Sequence, residues 1–189
     1  MSRFSWQAVV AGVGGQGVLF VTRVLAGAAR RKTKRVLISE VHGMAQRGGS
    51  VVSHLKAGPF FSPLVSPGQA QTLFSLDAGE AVRNLSFLAP GGSMIVNAPD
   101  TSYLSGQALA ALYAHQVQTL VLDASAMARD AGAPKAANVV LLAAAAEAGA
   151  LPFGREEIWS VLDESTPPAR RALNRKLFDM VACDNLAAL

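Results

Sequence analysis

Two short stretches hold most of the residues able to do chemistry. The first is Gly12-Val13-Gly14-Gly15-Gln16-Gly17. An apolar run, Gln7–Ala11, leads into it, and Val18, Val21, Thr22, Leu25, Ala28 and Ala29 follow at helical spacing. A strand, a glycine turn and a helix bring free N–H groups to a helix N-terminus, where anions bind. Glycines also let the backbone approach a phosphate. Glu40 stands 23 residues after Gly17, near the offset at which dinucleotide sites place an acid. A nucleotide site is therefore one reading of Gly12, Gly14, Gly15, Gln16 and Gly17. The other is a tight structural turn, or one that holds a partner's loop, and Gln16 puts a long amide inside the motif.

The second stretch is Glu40-Val41-His42-Gly43-Met44-Ala45-Gln46-Arg47-Gly48-Gly49-Ser50-Val51. It gathers an acid, an imidazole, an amide and a guanidinium on one loop after a strand. Loops at the carboxyl ends of parallel strands are where α/β proteins bind ligands. Arg47, followed by Gly48 and Gly49, can present a planar cation to a carboxylate or phosphate with little hindrance. Glu40, His42, Gln46 and Arg47 are the catalytic candidates, and Arg47, Gly48 and Gly49 join the glycine turn as binding candidates. The plainer reading is an ordered loop with Glu40 and Arg47 paired to each other.

Other chemistries lack their residues. His42, His54 and His115 show no metal-ligand spacing, and no metal site is expected. The one cysteine, Cys183, cannot make an intrachain disulfide, a structural zinc site or an iron–sulfur cluster. There is no nucleophile elbow and no Walker lysine. The basic run Arg30-Arg31-Lys32-Thr33-Lys34-Arg35 suits the end of the first helix, where cations complement the dipole. It could also receive an acidic protein or a phosphate tail. Stacking aromatics do not accompany it, so nucleic acid is not an expected partner. Arg170, Arg171, Arg175 and Lys176 read as a helix surface.

The elements that must position these residues alternate. Strands are expected at Gln7–Ala11, Arg35–Ser39, Ser50–Ala57, Thr72–Leu76, Ser93–Asn97 and Leu120–Asp123. Helices are expected after Gly17, from Asp77, and over Leu104–His115. Asp77 and Glu80 fit a capping box, and Pro90-Gly91-Gly92 is taken to end that helix. Ala136–Ala148, Arg155–Leu162 and Pro168–Leu186 read as further helices, and the small side chains of Ala143–Ala146 suit close packing. The fold class is α/β, Rossmann-like, with a mostly parallel sheet flanked by helices and a helical C-terminal segment. A single domain over residues 1–189 is expected, with an α/β core over about 5–125 and a helical layer over about 134–187.

Composition agrees. Of 189 residues, 51% are apolar and 16% charged, and 17 basic against 13 acidic residues leave a net charge of +4. That excludes a disordered chain and suggests that a partner covers part of the surface. Met1–Gln7 has no long apolar run, so no signal peptide is expected. The uncharged stretches Ala57–Leu76 and Thr101–Leu122 are broken by prolines or polar residues, so no membrane association is expected and a cytoplasmic location is.

Together the two motifs are specific. The chain resembles the gamma-type domain of the 2-oxoacid:acceptor oxidoreductases, and within it the beta subunits of indolepyruvate ferredoxin oxidoreductases. The resemblance rests on the glycine turn, on Glu40–Val51, on Ser62-Pro63-Leu64 and on Asn138 in Lys135-Ala136-Ala137-Asn138. It runs from about Gln7 to Gly149, and the later helices fit more loosely. It implies a subunit, inactive alone, of an enzyme that oxidatively decarboxylates an aryl pyruvate, with coenzyme A taking the acyl group and ferredoxin the electrons. It places thiamine diphosphate and the iron–sulfur clusters in a large partner subunit and none in this chain. This subunit would cover the partner's site, keep water from a reactive intermediate and shape the coenzyme A path. An apolar surface normally covered by that partner would favour a homodimer of the isolated chain. Two other functions stand beside this one: a stand-alone NAD- or flavin-binding oxidoreductase, and a non-catalytic interaction module.

Overall fold

The computed structural model describes residues 4–43 and 48–181. Met44, Ala45, Gln46, Arg47 and Cys183 lie outside the described residues, as does the side chain of His42. The chain forms β1 (Trp6–Val13), α1 (Val18–Lys32), β2 (Val36–His42), β3 (Ser50–Ala57), β4 (Ala70–Ser75), α2 (Ala78–Asn84) and β5 (Leu88–Asn97). It continues through α3 (Gly106–Ala114), β6 (Gln118–Leu122), α4 (Ala124–Asp130), α5 (Ala137–Glu147), α6 (Arg155–Ser165) and α7 (Pro168–Asp179).

One six-stranded sheet runs in the order β2-β3-β1-β4-β5-β6. β1, β4, β5 and β6 are parallel neighbours, whereas β3 lies antiparallel to both β1 and β2. The sheet is thus mostly parallel, as expected, with one reversed strand. That reversal follows from the glycine-rich link between β2 and β3, which turns back as a hairpin loop instead of crossing over through a helix. Gly43 N–H donates to Ser50 O at 2.8 Å and closes the loop's base.

The two faces of the sheet are covered differently. Alternate residues of β1 and β4, such as Val10 and Phe74, pack with α1, α5, α6 and α7 in the larger core. Val9, Leu73 and Met94 point the other way, into a smaller core with Ala81 of α2 and Ala108 of α3. Helix α5 is buried on every side from Val139 to Ala146, which explains its lack of an amphipathic pattern. Its alanines admit α6 and α7 closely, as their size implies.

Several expected boundaries move. Helix α2 ends at Asn84, whose Nδ2 donates back to Glu80 O at 2.8 Å. Pro90-Gly91-Gly92 does not end it; those residues form an irregularity within β5, where the register against β4 jumps from Ala70↔Leu88 to Thr72↔Ser93. Gly91 takes a φ of 69° there, and its N–H reaches His115 O at 2.8 Å. The capping box is only half made: Asp77 accepts the Glu80 N–H at 3.1 Å, but the Glu80 carboxylate turns to Ser50 and Arg83. Helix α4 starts one residue after β6, and Asp123, expected as the last strand residue, is its N-cap and accepts the Ala126 N–H. Strand β2 runs on through Glu40 to His42, which moves Glu40 from the loop into the sheet.

Candidate functional site

The glycine turn and the β2–β3 loop meet at the carboxyl end of the parallel strands. Gly14 N–H donates to Gly49 O at 2.9 Å, and a Cβ on Gly14 would lie 3.6 Å from that oxygen. Gly15 and Gly17 take φ values of 98° and 94°, which glycine adopts without strain. Gln16 folds its amide back, so that Oε1 accepts the Val13 N–H at 2.7 Å. The long side chain therefore closes the turn rather than obstructing it. Asn138, at the start of α5, donates to Gln16 O at 3.3 Å and occupies the space a Gly17 side chain would need.

Beside this turn lies a crevice of about 330 Å³ lined by Gly15, Gln16, Leu76, Asn97, Ser125 and Lys135, among others. It opens outside the carboxyl ends of β4 and β5, the position at which open α/β sheets take ligands. Asn97 fixes its floor. Its Nδ2 donates to Leu76 O at 3.2 Å and to Ser125 Oγ at 2.8 Å, and its Oδ1 accepts the Ser125 N–H at 3.1 Å. Four helices begin here, and they are not equivalent. Asp77 and Asp123 cap α2 and α4 with their own carboxylates, whereas α1 and α5 have no side-chain cap. The N–H groups of α1 and α5 are therefore the ones left for an outside anion, with the exposed Lys135 between them. An adjoining groove of about 600 Å³ shares Lys135 and adds Arg23 and Arg170 over an apolar floor of Phe20 and Val139. Among the described residues, these three cations form no ion pair with a carboxylate.

The structure sorts the sequence candidates. Gly12, Gly14, Gly15, Gln16, Gly17, Gly48 and Gly49 come together as one backbone surface. Gln46 and Arg47 lie outside the described residues, and only the backbone of His42 is described. Glu40 is exposed on β2, opposite Ser53, which in turn pairs with Val10. It stands two strands from β1, about 10 Å away, and below the level of the glycine turn. A dinucleotide site needs the second strand beside the first, so that the acid reaches a ribose. The reversed strand β3 fills that place, and the stand-alone nucleotide reading loses its acid. His54 is a buried packing residue whose Nδ1 accepts the Val65 N–H at 3.2 Å. His115 caps α3 at the other end of the sheet.

Sequence reasoning missed Asn97, Ser125, Lys135 and Glu80. Lys135 and Asn138 stand in one string, yet only the asparagine drew notice, because a lone exposed lysine carries no pattern. Glu80 is 1% exposed, and its carboxylate accepts Ser50 Oγ at 2.7 Å just beyond the glycines of the loop. It also pairs with Arg83. The basic run is partly structural: Arg31 bonds Glu164 at 2.9 Å and Lys32 bonds Glu157 at 2.6 Å, tying α1 to α6. The Lys32 ammonium and the Gly154 N–H hold the Glu157 carboxyl below its ordinary range.

The comparisons with known proteins bear on this geometry directly. The family model described as pyruvate ferredoxin/flavodoxin oxidoreductase matches residues 7–182. The chain belongs to that family. A relative named indolepyruvate oxidoreductase subunit IorB, from Pyrococcus horikoshii, is 31% identical over 185 residues, covering 91% of this chain and 92% of the relative. The gamma subunit of keto/oxoacid ferredoxin oxidoreductase from Geobacter sulfurreducens has the same fold, with a TM-score of 0.65 and 25% identity over 93% of this chain and 95% of that one. A 2-oxoglutarate:ferredoxin oxidoreductase from Magnetococcus marinus, solved with 2-oxoglutarate, coenzyme A and succinyl-CoA, aligns at a TM-score of 0.73 and 17% identity. That match covers 95% of this chain and 30% of the larger one, and it shows the fold alone. Relatives of this chain thus include subunits of oxidoreductases. Among the described residues, no helix is long and apolar enough to cross a membrane.

Proposed function

We propose that this chain is the small subunit of a cytoplasmic 2-oxoacid:ferredoxin oxidoreductase acting on aryl pyruvates such as indolepyruvate. The full-length similarity to an indolepyruvate oxidoreductase subunit carries this reading. In the reaction the bond between the keto carbon and the carboxylate breaks and carbon dioxide leaves. The coenzyme A thiol loses its proton and takes the acyl group, and two electrons pass to ferredoxin. Thiamine diphosphate and iron–sulfur clusters supply the decarboxylation and electron transfer, and they belong to a large partner subunit. A single cysteine does not fit a cluster here.

This chain's share is binding and exclusion. The uncapped starts of α1 and α5, with Lys135, suit the phosphates of coenzyme A. Arg23 and Arg170 extend that positive surface along the adjoining groove. The bond from Gly14 to Gly49 fixes one arm of the link that follows His42 and contains Gln46 and Arg47, the candidates to face the partner's site. Neither a free-standing nucleotide enzyme nor a purely non-catalytic module is favoured.

Purification from the native host with the large subunit tests the reading. The complex should contain thiamine diphosphate and iron and reduce a dye in the presence of indolepyruvate and coenzyme A. Recovery of the chain without such a partner would overturn it. Within an active complex, Lys135→Glu should raise KM for coenzyme A about tenfold and leave kcat nearly unchanged, since it acts on binding alone. An unaltered KM in both Lys135→Glu and Arg47→Ala would remove coenzyme A from this crevice.

A further inference from the structure

The hydrogen bonds at the floor of the crevice leave one polar hydrogen that the fold does not use. Leu76 O can only accept and the Ser125 N–H can only donate, so their bonds to Asn97, at 3.2 and 3.1 Å, allow one orientation of its amide. Nδ2 points to Leu76 O, and Oδ1 to the Ser125 N–H. The same Nδ2 stands 2.8 Å from Ser125 Oγ. An amide NH2 only donates, so the serine oxygen is the acceptor in this third bond. The Ser125 hydroxyl hydrogen cannot bond back to Asn97. Among the described residues nothing else accepts it.

Two other serines at this end of the sheet show the contrast. Ser50 Oγ donates to the buried Glu80 carboxylate at 2.7 Å, and Ser75 Oγ donates to Asp77 O at 2.7 Å. Those hydroxyls hold the fold together. Ser125 lines the crevice with its oxygen pinned and its hydrogen free. The start of α4 offers no alternative donor there, because the Ser125 N–H is taken by Asn97 and the Ala126 N–H by Asp123.

The rest of the lining selects what the hydroxyl can meet. Among the described residues no carboxylate lines the crevice, and Lys135 brings a cation to it. A hydroxyl donor beside an ammonium and the uncapped starts of α1 and α5 suits a group with several negatively charged oxygens. In coenzyme A only the phosphates are such groups.

We infer that Ser125 binds a phosphate oxygen of coenzyme A through its hydroxyl hydrogen, and that Asn97 is the positioning residue that aims it. The inference rests on the proposed binding of coenzyme A in this crevice.

Steady-state kinetics of the complex with the large subunit tests it. Ser125→Ala deletes the hydroxyl and keeps the backbone bond to Asn97 Oδ1. It should raise KM for coenzyme A about tenfold, as the loss of one hydrogen bond to a charged group does, with kcat and KM for indolepyruvate nearly unchanged. Ser125→Thr keeps the hydroxyl and should bind coenzyme A nearly as the wild type does. Asn97→Asp tests the aiming. Its carboxylate would accept the Ser125 N–H and the hydroxyl together, turning the hydrogen from the crevice to the floor, so KM should rise at least as far as in Ser125→Ala. Adding Ser125→Ala to Asn97→Asp should then change KM little further, although each single variant changes it. A wild-type KM in Ser125→Ala would overturn the inference. If Lys135→Glu still raises KM, coenzyme A stays in the crevice and the inference alone falls. A wild-type KM in Ser125→Ala, Lys135→Glu and Arg47→Ala alike would remove coenzyme A and the inference together. Equal losses of kcat in Ser125→Ala and Ser125→Thr would mark a serine that only packs, and additive losses in the double variant would take the aiming from Asn97.

Discussion

The β4–β6 half of the sheet is parallel and joined through helices, the β3–β2 half is an antiparallel pair, and the two end in opposite conditions. On the first, helices cover both faces, and the edge strand is short and tied to Ala148. On the second, His54 of β3 meets Phe87 and the loop that carries Val65, the outer edge of β2 pairs with no described strand, and Val41 is exposed. The difference lies in how much apolar residue the fold itself uses. Exposed large apolar side chains also stand on α2, α3 and α7, at Val82, Leu109, Tyr113 and Leu173, so they are not confined to this flank. The crevice lies between these halves, at the glycine turn of β1.

The largest effect that would sharpen this contrast is a core truncation on the closed side. Phe153 is 2% exposed, with its ring edge-on to Trp6 at 5.0 Å and close to Phe4 at 6.0 Å. It pins the C-terminal helical layer to the sheet. Phe153→Ala should cost about 4 kcal/mol in urea unfolding. Val41→Ala, on the open flank, should cost under about 0.5 kcal/mol. Similar losses for the two would break the comparison.

Next in size is Gly17→Ala, where the boundary itself is built. The φ of 94° strains any side chain, and the new methyl would meet Asn138 Nδ2. A loss of about 3 kcal/mol is expected. Pairing it with Asn138→Ala should recover the contact part and leave the backbone part, as a thermal-unfolding cycle would show.

These residues also mark how far the sequence was legible. The alternation of strands and helices, the turn after β1 and the Asp77 cap were readable because each has a local signal: spacing, glycine, or a short polar side chain before a helix. The meeting of the two motifs was foreseen only through family resemblance, since nothing local says that Gly14 will bond to Gly49. The direction of β3 was legible only in the shortness of its link to β2, seven residues and too few for a crossover helix. It reverses the meaning of Glu40, because an acid after the second strand reaches a ribose only if that strand lies beside the first. Lys135, Asn97 and Ser125 converge through tertiary packing of α4 and α5 onto the strand ends. Side chains that meet only through chain folding leave no periodic trace.

A smaller effect concerns the far arm of the loop. Glu80 reaches from α2 to Ser50, where β3 begins, and so ties the loop to the closed half. Glu80→Ala leaves the Ser50 hydroxyl without its acceptor and should cost about 2 kcal/mol. Glu80→Gln keeps an acceptor and should cost about half as much, because the Arg83 partner is largely exposed and its ion pair contributes little. Urea midpoints of the two variants separate the hydrogen bond from the charge.

The gentlest probe is acid, and it should act on the open half first. His54 faces the thinly covered side of β3, edge-on to Phe87 at 5.2 Å, and its Nδ1 accepts the Val65 N–H at 3.2 Å. That bond requires an unprotonated Nδ1. Burial pushes the imidazole below its ordinary value of 6.5, and the nearby Lys56 ammonium adds to the shift. The unfolded chain therefore takes up this proton at a higher pH than the folded one. The stability it contributes is fully present above about pH 6.5 and is lost as the pH falls from there through the folded value. The slope is at most about 1.4 kcal/mol per pH unit, and it should disappear in His54→Gln. Hydrogen exchange locates the effect once intrinsic rates are corrected. The Val65 amide should lose protection between pH 7 and pH 5, while amides around Phe153 keep theirs. Equal losses at both places would mean that the loop and the closed core open as one unit, and the two halves would then differ in cover but not in stability.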